Sequence, residues 1–155
     1  MNIMTKAKGL IDVPDDRILE IPEGIFGFED YTKYALIESD YEPFIWLQCI
    51  DNSSVAFLII DPFIICSAYE TDIDDDTLKK IDITKPEDII IMTIVTIPQD
   101  GKPITANFAG PLVINKNNHK CMQVILGDSR WSTKVDIVSM LQGKTKNDGI
   151  SGGGK

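Results

Sequence analysis

The chain has 155 residues, 43% hydrophobic and 25% charged, which is an ordinary globular composition and enough length for one domain with a real core. Its 15 basic and 24 acidic side chains give a formal charge of −9, which repels phosphate backbones and anionic lipid and so argues against direct binding to nucleic acid or to a membrane. The acid is unevenly spread: residues 1–90 carry net −13 and residues 91–155 carry net +4. The first 90 residues should therefore attract a basic partner.

The opening MNIMTKAKGLIDVPDDR contains no apolar stretch of signal-peptide type. The longest apolar runs, at 55–60 and 89–97, are broken by Asp61-Pro62 and by threonines, well short of the roughly 20 residues of a membrane span. Cys49, Cys66 and Cys121 are odd in number, far apart and within apolar runs, which predicts buried reduced thiols and a cytoplasmic location.

Strands are predicted at 17–21, 34–38, 44–50, 55–60, 63–66, 89–97, 104–114 and 120–126, each short, rich in β-branched or aromatic residues and bounded by turn residues. Residues 22–28 read as turn punctuation around large apolar side chains, and Glu29–Lys33 as one helical turn. Asp74–Ile81 is the best short helix, with acid in its first turn and Lys79 and Lys80 in its last. Asp100-Gly101 marks a turn, and Asn115–His119 a hairpin turn whose asparagines tolerate positive φ. Residues 132–141 have the spacing of an amphipathic helix capped by Ser132 or Thr133. The whole predicts a mainly β fold: a single compact antiparallel barrel-like domain over 1–130, with one or two short helices. A C-terminal amphipathic helix follows at 131–142, and a flexible glycine-rich tail at 143–155.

Catalytic chemistry is thinly represented. The single histidine, His119, falls in a predicted turn tip with no structured partner to make it a base. Asp72, Asp74 and Asp76 imitate the start of a calcium loop, but Thr77 stands where that loop needs glycine and Ile83 where it needs a bidentate glutamate. No metal, cofactor or enzymatic activity is therefore expected. The competing reading is a small-molecule-binding β-barrel, or a hydrolase using Asp61 and Asp128 as paired carboxylates.

Five ordered stretches carry a family resemblance: Ile21-Pro-Glu-Gly-Ile-Phe-Gly-Phe28; Phe44-Ile-Trp-Leu-Gln48 with Val55-Ala-Phe57 and Asp61-Pro-Phe63; Ile94-Val-Thr-Ile-Pro98; Thr105-Ala-Asn-Phe-Ala-Gly-Pro-Leu-Val-Ile-Asn115; and Gln123-Val-Ile-Leu126 with Asp128-Ser129. In this order and at this spacing the chain resembles the flagellar assembly factor FliW family across residues 21–129. It departs from the family pattern at Phe26, where proline is usual, and near Ala109-Gly110. The resemblance implies a compact antiparallel β protein without catalysis. Such a protein binds newly made flagellin and, when flagellin has been exported, binds the translational regulator CsrA and lifts its repression of flagellin mRNA.

Three sets of residues are candidate partner contacts. Asp72, Asp74, Asp75 and Asp76 form the densest acid and would steer a basic RNA-binding protein such as CsrA; the plainer reading is a solvated helix start. Asn107 and Phe108 lie beside Ala106, Ala109 and Gly110, small residues that let another backbone approach, or else Phe108 is core and Asn107 holds a local loop. Ile25, Phe26 and Phe28 either plug one end of the fold or anchor flagellin's helical end. The chain is expected to act as a monomer.

Overall fold

The computed structural model describes residues 1–100 and 103–141. Gly101 of the expected turn and the tail at 143–155 lie outside the described residues.

The chain opens with a hairpin absent from the sequence reading, β1 (Asn2–Thr5) and β2 (Gly9–Asp12). The strands that follow are β3 (Ile18–Glu20), β4 (Lys33–Glu38), β5 (Ile45–Cys49) and β6 (Ala56–Ile60). Two short helices come next, α1 (Pro62–Ile65) and α2 (Asp75–Lys80). The chain then returns to strands: β7 (Ile89–Thr96), β8 (Thr105–Ala106), β9 (Leu112–Asn115), β10 (Cys121–Gln123) and β11 (Val135–Asp136).

The main sheet runs β10-β9-β7-β6-β5-β4-β3, all antiparallel, with β8 on β7 and β11 on β8. Alternation along each strand sorts the side chains between two faces. Leu19, Tyr34, Leu47, Ile59, Met92, Leu112, Ile114 and Cys121 share one core cluster. Ile60, Ile91, Val95 and Val113 point the other way, into a second cluster closed by α1, α2, Phe108 and Ile137. The β1–β2 hairpin covers Ala35 and Ile37 at the far end of that face. Burial on both sides explains why the strands read as near-continuous apolar runs.

The expected barrel-like closure is not found among the described residues. β3 and β10 are the ends of the sheet. They meet at a parallel bridge between Glu20 and Lys120, where the Glu20 N–H donates to the His119 carbonyl at 3.0 Å, rather than along a ladder.

Local chemistry corrects several other expectations. The strand expected at 63–66 is instead mostly helix, since α1 covers Pro62–Ile65 and Cys66 caps it: the Asp61 carboxylate accepts from the Phe63 N–H at 2.9 Å, and Pro62 occupies the first turn, where a missing N–H costs nothing. Glu29–Lys33 is a turn leading into β4, not a helical turn. The expected strand at 104–114 is two strands: from Ala106 to Leu112 the chain advances six residues while its β7 partners, Val95 and Met92, are three apart. The hairpin turn after β9 takes its positive φ at His119 (62°) rather than at an asparagine. Residues 132–141 are not one helix. Residues 135–136 pair with β8, and helix begins at 137, where Asp136, not Ser132 or Thr133, accepts from the Ser139 N–H at 3.0 Å. All three cysteines are free; Cys49 and Cys121 are buried and Cys66 is half-buried, and burial pushes the Cys121 thiol pKa well up.

Candidate functional site

The Ile21–Glu29 loop folds back on itself by two glycines. Gly24 has φ +70°, and a Cβ placed there would lie 2.6 Å from the Glu29 Cα, so only glycine fits. Gly27, at φ +88°, makes the second reversal, and its N–H donates to the Glu29 carboxylate at 3.0 Å. This geometry splits the three apolar residues of the loop. Ile25 is buried in the core, whereas Phe26 is 51% exposed and Phe28 is partly exposed against the Phe57 ring, edge to face at 5.1 Å.

Gln123 on β10 locks that loop to the sheet. Its Oε1 accepts from the Phe26 N–H at 2.9 Å and its Nε2 donates to the Gly110 carbonyl at 3.0 Å. Asn107 Oδ1 accepts from the Gly110 N–H at 2.8 Å. A Cβ on Gly110 would approach Asn107 Nδ2 to 2.9 Å. The small residues at 106–110 are thus used up by the protein's own packing. Phe108 is 0% exposed and packs, with the rings tilted, against Tyr69 (4.7 Å between centroids) and Trp131 (6.0 Å), while the Tyr69 hydroxyl donates to the Phe108 carbonyl at 2.7 Å. The structure thus places Phe108 in the core, the plainer of the two readings of its sequence.

The acid segment is carried to the same region by α2. Asp74 caps that helix, accepting from the Thr77 N–H at 2.8 Å, and this hydrogen bonding lowers its pKa. Beyond α2, the Ile81 carbonyl accepts from Asn115 Nδ2 at 2.8 Å, and Asp82 pairs with Lys120 Nζ at 3.3 Å. These two ties clamp the end of α2 to the β9–β10 hairpin and set the acid beside β10.

The result is a groove of about 420 Å³ between three pieces of chain: Glu23 to Glu29, Asp72 to Thr77, and Met122 to Ile125. Its apolar lining residues include Phe26, Ile73, Met122, Val124 and Ile125, of which Ile125 is 73% exposed. Its charged lining residues are Glu23, Glu29, Asp72 and Asp74, all acidic. A second cavity of about 350 Å³ shares Asp72 and adds Glu70 and Asp128. There Arg130 binds Asp128, whose pKa is lowered by that hydrogen bonding and charge. Of the predicted residues, Phe26, Asp72 and Asp74 therefore converge on one groove. Asp75 and Asp76 are exposed in the first turn of α2. Ile25, Asn107 and Phe108 do not line it.

Asp61 is committed to capping α1 and Asp128 to Arg130, and Asp61 does not line the Asp128 cavity. Among the described residues, no cluster of three or more His, Cys, Asp or Glu side chains could hold a metal ion, and no helix is long and apolar enough to cross a membrane. Sequence reasoning missed Gln123, Ile125, Glu23 and Glu29. Ile125 carried no local signal, because alternation puts it on the same side as Cys121 and Gln123, both of which are buried.

A family model described as FliW protein matches residues 2–137, past the Ser129 limit of the resemblance read from sequence. The Treponema denticola flagellar assembly factor FliW is 48% identical over 95% of this chain and 100% of that protein. The Treponema pallidum protein of the same name is 45% identical over 90% of this chain and 93% of its own length. A crystal structure of the flagellar assembly factor FliW superposes with TM-score 0.81 at 33% identity, covering 88% of this chain and 96% of the other.

Proposed function

The chain belongs to the FliW family, and on that premise we propose that it is a cytoplasmic, non-catalytic flagellar assembly factor that holds one protein partner at a time. Flagellin is the first partner. When flagellin has been exported, the freed protein binds CsrA and relieves repression of flagellin mRNA.

The observation that carries this reading is the convergence of two surfaces in one groove. The acid of Asp72 and Asp74 suits a basic RNA-binding protein, and exposed Phe26 offers flagellin an apolar anchor. Partners that use either wall of a 420 Å³ groove exclude each other sterically. Charge contributes a second effect: a bound acidic surface opposes RNA phosphate next to it.

The test is a competition. Labelled CsrA is bound to the protein, flagellin is titrated in, and anisotropy is followed. Release of CsrA in proportion to added flagellin is expected. A stable complex of all three would contradict the proposal.

A further inference from the structure

The groove has one wall that is neither acid nor apolar side chain: the backbone edge of the sheet. Hydrogen bonds along an antiparallel strand alternate in direction, so every second residue faces its neighbour and the rest face away. Here the even residues face β9. The Lys120 carbonyl accepts from the Asn115 N–H at 2.8 Å, the Val124 N–H donates to the Pro111 carbonyl at 3.0 Å, and the Leu126 N–H donates to the Ala109 carbonyl at 2.8 Å. Met122 is in register with Val113 between them. Gln123 and Ile125 consequently direct their N–H and C=O groups to the opposite side, toward the groove.

That side is covered at one end, and the cover reaches Gln123, which is 6% exposed, whereas Ile125, at 73%, is open. At residues 119–120 it meets Glu20 through the parallel bridge, and the Gln123 side chain reaches across to the Phe26 N–H. Beyond this point the neighbouring chain is the Glu23 to Glu29 loop, on the far wall of the groove. Uncovered sheet edges are templates for strand pairing. The groove it borders is lined by exposed Phe26 and Ile125 and by Glu23, Glu29, Asp72 and Asp74, of which Glu23 pairs with Lys80 at 3.4 Å.

We propose that the edge at Gln123–Ile125 is a strand-addition site that takes an extended segment of a partner protein in which basic side chains alternate with apolar ones. The proposal rests on reading the groove as the partner site and specifies how the partner is held. The segment's backbone pairs with Gln123 and Ile125. Side chains on one face of an added strand point in one direction, so its apolar set packs on Phe26 and Ile125 while its basic set meets the acidic rim. The backbone supplies affinity and the alternation supplies selection.

The test uses an eight-residue peptide of alternating Lys and Val, with a Glu–Val peptide as the charge control. Amide exchange of the full chain is measured by NMR with and without peptide. The expected result is at least tenfold slower exchange of the Gln123 and Ile125 amides with the Lys–Val peptide, and no slowing with the Glu–Val peptide. Absence of slowing at those amides at saturation overturns the proposal, as does equal slowing by both peptides.

Ile125→Pro removes an N–H that makes no bond to β9, so it should abolish binding, while Ile125→Ala weakens it by less than tenfold. Equal losses would indicate side-chain docking, as for a helical ligand, and overturn strand addition. If the proline variant fails to fold, the amide exchange of the unmodified protein still decides. The underlying groove reading fails separately, if Phe26→Asp and Glu29→Lys leave peptide binding unchanged.

Discussion

Phe108 and Phe26 look alike in sequence, each a phenylalanine beside glycine or alanine in a segment without strong periodicity, and the fold uses them in opposite ways. Around Phe108 the small residues admit the protein's own groups: Asn107 turns back to Gly110, and Tyr69 and Trp131 close over the ring. Around Phe26 the glycines reverse the chain, burying Ile25 and leaving Phe26 outside. Glycine next to an aromatic residue therefore does not by itself distinguish core from contact surface. What separates the two cases is whether another segment arrives to cover the ring.

This contrast can be broken first at Phe108. Phe108→Ala empties a fully enclosed site and should cost about 3–5 kcal/mol, read as a large fall in thermal midpoint. A loss under about 1 kcal/mol would mean that the aromatic cluster with Tyr69 and Trp131 is not core, since surface substitutions usually stay within ~0.5 kcal/mol. Gly24→Ala comes next. It forces a Cβ against Glu29 at a positive φ, a strain of about 1–3 kcal/mol, and by displacing Phe26 it should weaken partner binding as well. Tyr69→Phe removes the donor to the buried Phe108 carbonyl, at about 1–3 kcal/mol, without affecting the groove. Circular-dichroism melts and partner titrations on the same preparations separate these cases.

The acid wall allows subtler tests. Changing Asp72, Asp74, Asp75 and Asp76 together to Asn should slow association with CsrA and flatten its dependence on salt, while dissociation changes little. Unchanged association at low ionic strength would remove the steering role. The smallest expected effect concerns pH. Because hydrogen bonding to Thr77 lowers the pKa of Asp74 from its ordinary 3.8, the ionised cap stabilises the fold above that value, and the contribution is lost as pH falls through the lowered one. Asp74→Asn keeps a capping side chain and should shallow the acid limb of the stability profile.

Much of the fold was legible in the residues. β5 to β7 lie within a residue of the expected strands because each combines an apolar run of β-branched or aromatic residues with a nearby Pro or Asn, and β4 does so with only Ser39-Asp40 to end it. α1 was not legible, since an Ile-rich run has strand propensity and only the Asp61–Pro62 pair signals a capped helix start. β8 and β11, two residues each, carry no periodic signal and exist only because they pair with each other and with β7.

The candidate site was half legible. Composition marked Asp72 and Asp74, and glycine punctuation marked Phe26. Their meeting depends on Asn115 and Lys120 clasping the end of α2, contacts separated by 34 and 38 residues. Nothing local announces such a contact. Gln123 is the same kind of case, a polar residue in an apolar run whose side chain reaches across to Phe26, 97 residues away.

The central claim is that partners bind where Phe26 lies and not where Phe108 lies. Its most direct measurement is the flagellin affinity of Phe26→Asp alongside its thermal midpoint. The account predicts an affinity loss of at least about tenfold, roughly 1.4 kcal/mol, with the midpoint unmoved. Unchanged affinity in a protein that melts as before would contradict it.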